Sequence, residues 1–228
     1  MGAKVIAIDG PAYVGKSQIA QGIAKKLGYE FINTGHMYRA IAKVALDQMI
    51  PFENETALIN LPIRIYFLGG RTFVSLSEDQ KAFDWTYELD KVEIVESAGK
   101  IAKLAGVRNL LTQMQRQYAQ KQWIVMEGRD IGTVVFPDAE WKFFVTASEE
   151  VRAKRVLKML SEEERKTINF AKALEKIQQI DFADKNRKIA PLLKASDAIE
   201  YDNGAYTVEE DVNHLYGLIK AGKKAVRV

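Results

Sequence analysis

The chain has 228 residues, 47% of them hydrophobic and 28% charged, enough apolar material for the core of one large domain and too much for a disordered or collagen-like chain. No cysteine is present, which removes disulfides, thiolate zinc sites, iron–sulfur clusters and cysteine nucleophiles, and two histidines cannot build a histidine-rich metal site. The net charge of +3, from 33 Lys plus Arg against 30 Asp plus Glu, does not by itself point to nucleic acid or membrane.

No segment approaches the roughly 20 apolar residues of a membrane span. Val5–Ile8 is too short for a signal-peptide core, and Met1-Gly2 is followed by Ile6 where a myristoylation site has Ser or Thr at the sixth position. The expectation is a soluble intracellular protein. Val5–Ile8 instead reads as a strand buried on both faces. The glycine-rich segment Gly10–Gly15 breaks that pattern, and Ile19, Ile23 and Leu27 then follow at helical spacing until Gly28 stops the helix.

A short strand at Tyr29–Ile32 and a helix from Gly35 to Gln48 come next. Alternation through Ile63, Ile65 and Phe67, the pair Gly69-Gly70, and extended chain over Arg71–Leu76 predict a hairpin inserted in an otherwise alternating chain. Helices are expected over Leu89–Leu104 and Val107–Ala119, and strands at Trp123–Met126 and Lys142–Val145. Ser148-Glu149-Glu150 opens a helix running to Leu160. Residues 162–189 read as charged and mostly helical, Ala198–Tyr201 as a last strand, and Val208–Ile219 as a last helix. The basic tail residues Lys223, Lys224 and Arg227 read as a solvated end. Strands alternating with helices predict a parallel α/β sheet.

Gly10-Pro11-Ala12-Tyr13-Val14-Gly15-Lys16-Ser17 fits G-x-x-x-x-G-K-[ST], with a buried strand before it and an amphipathic helix after it. Glycines let the backbone curl its amides towards one centre, and the helix N-terminus adds free N–H donors and a positive dipole end. Lys16 can lie along the β- and γ-phosphates of a nucleotide triphosphate, and the Ser17 hydroxyl can ligate Mg2+. Glu127 closes the run Trp123–Met126 at the sheet edge where phosphate loops lie, so its carboxylate can hold a water of that metal. Asp9 invites the same reading more weakly, since Asp9-Gly10 also suits a turn.

Arginines recur where loops leave strands: Arg39 in Thr34-Gly35-His36-Met37-Tyr38-Arg39, Arg108, Arg129 in Gly128-Arg129-Asp130, and Arg187 after Asp184. Between Arg152 and Lys194, 12 basic residues face six acidic ones, a local excess larger than that of the whole chain. Beside a phosphate loop, that segment reads as a lid over polyphosphate. Transfer between two phosphates needs such cations, because donor and acceptor repel each other and charge builds on the equatorial oxygens. Asp130 and Asp184 cannot usefully contact phosphate, which assigns them to base or sugar donors or to orienting an arginine. The guanine-reading N/T-K-x-D is missing, and no basic stripe interleaved with aromatics suggests single-stranded nucleic acid.

Through these residues the chain resembles the bacterial cytidylate kinases, P-loop nucleoside-monophosphate kinases. The resemblance spans nearly the whole sequence: Ile8-Asp9-Gly10-Pro11, Gly15-Lys16, Thr34-Gly35 with Tyr38-Arg39, Val107-Arg108, Asn186-Arg187 with Ala190-Pro191-Leu192, and Ser196-Asp197-Ala198-Ile199. Its most specific part is the twelve-residue run Gly128-Arg129-Asp130-Ile131-Gly132-Thr133-Val134-Val135-Phe136-Pro137-Asp138-Ala139. The resemblance implies a three-layer α/β P-loop NTPase fold around a mostly parallel five-stranded sheet. It implies one kinase domain over 1–228, with an acceptor-binding region at 33–105 that includes the hairpin near 62–77, and a lid at 150–190.

It implies transfer of the γ-phosphate of ATP, with Mg2+, to CMP or dCMP in a cytoplasmic monomer that binds neither nucleic acid nor membrane. The alternatives are UMP or another small acceptor, or a weakened nucleotide-binding regulatory module. Gly10–Ser17 with Arg152 and Arg155 would bind ATP. Thr34, Arg39 and Arg129 would hold the acceptor phosphate, Arg108 and Asp130 would read cytosine, Asp184 would contact the sugar, and Arg187 would bridge phosphate, sugar and lid. Lys16, Arg39, Arg129 and Arg187 would be the electrostatic catalysts, with Ser17 and Glu127 near the metal.

This chain departs from the family pattern at several points. The phosphate turn carries the bulkier Ala12-Tyr13-Val14. The base-contacting serine falls on Gly99, and two lid arginines fall on Ile180 and Ala183. The arginine of an Ile-Arg-Thr stretch becomes Asp90, and His36, expected to be a bystander but close enough to affect acceptor binding, stands where a small residue is usual. His214 is expected to be structural or solvent-facing.

Overall fold

The apolar runs become strands because each is covered on both sides. In the computed structural model, which describes residues 3–77 and 81–222, Ile6 and Ile8 of β1 (Ala3–Asp9) face one layer of helices. Val5 and Ala7 face the other. The tail cations Lys223, Lys224 and Arg227, and Met1-Gly2, lie outside the described residues.

In chain order, β1 leads through the glycine-rich loop into α1 (Lys16–Leu27), then β2 (Glu30–Asn33) and α2 (Thr34–Asp47). A short α3 (Glu55–Ile59) precedes the hairpin β3 (Arg64–Leu68) and β4 (Arg71–Ser75), which gains a third short strand, β5 (Phe83–Asp84). A 3-10 turn at Glu88–Asp90 leads to α4 (Val92–Ile101) and α5 (Ala105–Lys121). Then come β6 (Ile124–Gly128), a π-helical turn at Ile131–Val135 and β7 (Ala139–Thr146). The charged segment forms α6 (Glu149–Met159), α7 (Glu162–Arg165) and α8 (Phe170–Asn186), before β8 (Ile199–Asp202) and α9 (Val208–Lys220).

The main sheet has the order β2-β6-β1-β7-β8, and each neighbouring pair runs parallel. Its register places Asn33 opposite Glu127 and Asp9 opposite Gly128, so three strands end level with one another. The loops after β1, β2 and β6 therefore leave from one edge. The chain moves one way from β1 to β2 and later the other way to β7 and β8, which makes this edge the switch point where α/β sheets bind ligands.

One core lies between the sheet, α1 and α9, and includes Ile19, Ile23, Phe143, Val212 and Leu215. A second, around Met37, Ile41, Ile65, Val74, Ile94 and Leu111, joins α2, α4 and α5 to the hairpin, so the insert is part of the packed body. A small cluster of Ala153, Val156, Ala173 and Ile177 holds α6 against α8.

The predicted helix over Leu89–Leu104 is broken near its start. Leu89 is fully buried, but Lys91 is extended (φ −62°, ψ 138°), which separates the 3-10 turn from α4 and turns Asp90 towards α2. Local apolar spacing registered Leu89 as part of the helix; its burial comes from tertiary packing of the turn. α3, β5 and the π turn are too short or too irregular to carry a periodic signal.

Candidate active site

The phosphate loop depends on backbone conformations that its sequence only partly favours. Gly10 has φ +148°, and a Cβ there would lie 2.1 Å from the Val145 carbonyl oxygen, so the loop closes against β7 only with glycine. Tyr13 has φ +60°, a left-handed conformation rarely adopted by side chains of its size. Its ring packs against the α6–α8 cluster, which holds the strained residue in place.

Arg152 and Arg155 do touch this loop, through its carbonyls. Arg152 Nη1 donates to Ala12 O (3.2 Å) and Arg155 Nη1 to Val14 O (3.0 Å). No described peptide bond is cis, and a trans peptide points its carbonyl away from its amide, so the N–H groups of Tyr13 and Gly15 face the opposite way. The two arginines thus brace the loop from behind. Arg152 is buried in a bidentate pair with Asp181 of α8 (3.0 and 2.7 Å), and Arg155 is held by Asn203. Neither presents a free guanidinium to a donor phosphate, which departs from the role the resemblance implies for them.

Lys16 is buried and donates to Pro11 O at 2.7 Å. Burial, reinforced by the nearby Arg129 charge, lowers its pKa to about 7. A triphosphate favours the protonated amine, so the site should take up close to one proton per nucleotide at about pH 8.5, and affinity should fall as pH rises from about 7 towards 10. Titration calorimetry in HEPES and Tris, which differ in ionisation enthalpy, reads the uptake directly; equal enthalpies in both buffers would refute it. The same depressed pKa makes the ligand-free fold gain stability as pH rises from about 7 to about 10.5, because the unfolded chain then binds the extra proton.

Ser17 Oγ donates to Glu127 Oε1 at 2.8 Å, so the loop hydroxyl and the strand-end carboxylate meet as expected. Asp9 is engaged by the turn that follows β6. Its carboxylate accepts from the amides of Ile131 (2.8 Å) and Gly132 (2.7 Å), capping the π turn, and burial raises its pKa to about 6. Within that turn, Phe136 N donates to Ile131 O at 2.7 Å, and Arg116 caps its far end at the carbonyls of Val134 and Val135. The specific run beginning Gly128-Arg129-Asp130 is therefore a rigid piece of backbone held by Asp9 from 122 positions away.

That rigid piece aims two side chains. Asp130 accepts from Arg108 Nη2 at 2.5 Å, both groups being buried, and lies 3.5 Å from Arg187 Nη2. Arg187 Nη1 is 3.8 Å from Asp184 Oδ1, and Asp184 Oδ2 accepts from Arg129 Nε at 2.8 Å. Arg108, Asp130, Arg187, Asp184 and Arg129 thus form one chain of alternating charges from the base-reading candidates to the phosphate candidates. Arg187 Nη2 is buried without a hydrogen-bond partner among the described residues, its ion pair with Asp130 being too long to count as one. Burial and Arg108 lower the pKa of Arg187, whereas Asp184 raises that of Arg129 against its burial. Tyr38, beside Arg108, Asp130 and Arg187, has its hydroxyl pushed to about 12 by burial and remains protonated.

Thr34, Arg39 and Gly99 are placed differently. Thr34 Oγ1 donates to Glu127 O at 2.8 Å, tying α2 to β6, and reaches a phosphate only by exchanging that bond. Arg39 pairs with Asp90 instead of joining the alternating chain. Gly99 is exposed on α4, and a Cβ there would meet nothing within 4 Å. His36 is held at both ring nitrogens: its Nδ1 lies 2.8 Å from Thr72 Oγ1 and its Nε2 3.3 Å from Asp90. His214 contacts Tyr201, which donates to Asp211 at the foot of the loop-bracing Asn203. The roles of Asp9, Asp181 and Asn203 carry no signal in the sequence, because each partner is remote in the chain.

Among the described residues no group of three or more His, Asp or Glu side chains could hold a metal ion by itself, and no helix is long and apolar enough to cross a membrane. A family model described as cytidylate kinase matches residues 6–221. The cytidylate kinase of Desulforamulus reducens is 40% identical over 232 residues, which cover 96% of this chain and 98% of that protein. Those of Clostridium botulinum (strain Okra) and Clostridium tetani are 44% and 42% identical. They cover 94% and 95% of this chain and 97% and 94% of their own lengths.

Proposed function

The chain belongs to the cytidylate kinase family, and from that membership we propose that it transfers the γ-phosphate of ATP to CMP or dCMP, giving ADP and CDP or dCDP. The transfer is in line: an acceptor phosphate oxygen attacks the γ-phosphorus as its bond to the bridging oxygen of ADP breaks. No covalent enzyme intermediate is needed, because the acceptor is already nucleophilic.

The observation that carries this reading is the charge chain from Arg108 to Arg129, which runs to the phosphate loop and ends beside Lys16. The Tyr13 and Gly15 amides and Lys16 would bind the donor phosphates within Gly10–Ser17, braced by Arg152 and Arg155. Arg129, Arg39 and Thr34 would take the acceptor phosphate, Arg108 and Asp130 the base, and Asp184 the sugar. Arg187 would bridge phosphate, sugar and lid, its Nη2 making no hydrogen bond to the protein. Ser17 and Glu127, hard oxygen donors at the loop's end, suit Mg2+, with Ser17 as ligand and Glu127 acting through water; when bound, the ion would neutralise the β- and γ-oxygens of ATP.

On this reading residues 33–105, with the hairpin near 62–77, bind the acceptor, and 150–190 form the lid of a single kinase domain. We place the enzyme in the cytoplasm as a monomer acting on small molecules and not on nucleic acid or membrane.

The test is acceptor-dependent ADP release from ATP–Mg2+ with CMP, dCMP, UMP, AMP and GMP. CMP or dCMP should be preferred, and no acceptor-dependent ADP would overturn the function. Gly99→Ser adds a hydroxyl into open space and should raise the CMP-to-UMP ratio about five- to tenfold, the effect of one base hydrogen bond. An unchanged ratio would remove position 99 from base reading.

A further inference from the structure

Asp90 and His36, remote in sequence, meet at 3.3 Å between Oδ1 and Nε2. The same Asp90 oxygen also accepts from Arg39 Nη1. We propose that Asp90 is a positioning residue for the acceptor phosphate, holding the Arg39 guanidinium in place while buried His36 holds Asp90. The proposal rests on the reading of Arg39 as a ligand of that phosphate.

The arrangement is determined from several sides. Fully buried Leu89 anchors the 3-10 turn, and extended Lys91 frees Asp90 from the helix that follows, so the carboxylate faces α2. The Asp90 carboxylate only accepts hydrogen bonds, so His36 Nε2 must carry a proton. Nδ1 is fixed in turn by Thr72 Oγ1 at 2.8 Å, and Thr72 is almost completely buried on β4, its own amide donating to Thr86 Oγ1. His36 is itself 5% exposed. A rigid ring therefore joins the hairpin to the carboxylate. Although partial burial works the other way, the His36 and Arg39 contacts keep the Asp90 carboxyl below its usual range, so it is ionised at neutral pH.

The pair suits an arginine that must meet a phosphate. A free arginine loses much rotamer freedom when it binds; one already pinned through Nη1 has its remaining donors set in a planar fork. The Asp90 side chain is 58% exposed, so water screens its repulsion of an incoming dianion. The resulting order is hairpin, His36, Asp90, Arg39 and acceptor phosphate.

Steady-state kinetics of Arg39→Ala, Asp90→Ala, Asp90→Asn and the double variant Arg39→Ala/Asp90→Ala, with CMP and ATP varied separately, test this. Asp90→Ala should raise KM for CMP about tenfold and change KM for ATP less than about twofold. Asp90→Asn, whose amide oxygen can still accept from Arg39, should return KM for CMP to within about threefold of the parent. In the Arg39→Ala background, Asp90→Ala should add nothing. An unchanged or lower KM for CMP in Asp90→Ala would overturn the proposal, the lower value marking the carboxylate as a competitor of phosphate. A full Asp90→Ala effect without Arg39 would overturn it too, showing that Asp90 acts independently. If Arg39→Ala itself leaves KM for CMP unchanged, Arg39 is no phosphate ligand and the underlying assignment fails with it.

Discussion

Replacing Arg129 by Ala should lower kcat about 10³-fold while leaving KM for ATP within about threefold, as for a cation acting mainly on transition-state charge. Arg129 is held at 2.8 Å by Asp184, and its side chain is 27% exposed, enough for an anion to reach it. Asp184 overcomes the cost of burial and keeps the guanidinium firmly charged. On the proposed assignment ATP would rest on the loop amides and Lys16, whose positions the substitution leaves unchanged. Removing Arg129 also takes away a charge that depresses the Lys16 pKa, so proton uptake on ATP binding at about pH 8.5 should shrink in the same variant. Arg129→Lys should recover only part of the rate, because an ammonium cannot keep the Asp184 bond and reach phosphate through a fork. Single-turnover kinetics would separate the chemical step from product release, and an unchanged chemical rate would take Arg129 out of the mechanism.

The second large effect concerns stability. Asp181→Ala should destabilise the protein by about 3–5 kcal/mol, because it leaves Arg152 as an uncompensated buried charge. Arg152 and Asp181 are 3% and 5% exposed, bonded twice, and Arg152 Nε already lacks a partner. For a chain of this length the loss corresponds to a fall in Tm of about 10 °C in a thermal melt. Replacing both residues by apolar ones, Arg152→Met with Asp181→Leu, should restore most of it, since a well-packed apolar pair often matches a buried ion pair. A fall below about 2 °C in Asp181→Ala would show that the pair does not hold α6 to α8. The double variant also removes the bond from Arg152 to Ala12 O, so it should recover stability without fully recovering ATP affinity.

How far the site was legible in the sequence depended on how far apart its parts lie in the chain. The loop Gly10–Ser17 and the strand and helix flanking it are contiguous, and so is the run from Gly128 to Ala139; local spacing was enough to find both. The meeting of Ser17 with Glu127 was legible too, because parallel strands end level and their loops must share an edge. Other expectations changed because the decisive partner was remote. Asp9 looked like a turn residue until it met the amides of the π turn. Arg152 and Arg155 were expected to face donor phosphates, and here Asp181 and Asn203 engage them. His36 looked incidental until Thr72 and Asp90 fixed both ring nitrogens.

By itself the sequence determined the chemistry available to this protein. Without cysteine and with two histidines, only hydroxyls, carboxylates and cations remain, and a glycine-rich loop between strand and helix directs them to phosphate. It also determined the parallel sheet, because apolar runs that alternate with amphipathic helices have few other ways to bury both faces. Only the tertiary structure decided which charge faces which. An ion pair takes its partner from distance in space, and composition does not record distance, so the same +3 is consistent with many pairings. In this fold the buried carboxylates of Asp130 and Asp181 hold Arg108 and Arg152, Asp184 holds Arg129, and Arg187 Nη2 lies 3.5 Å from Asp130 without a hydrogen bond.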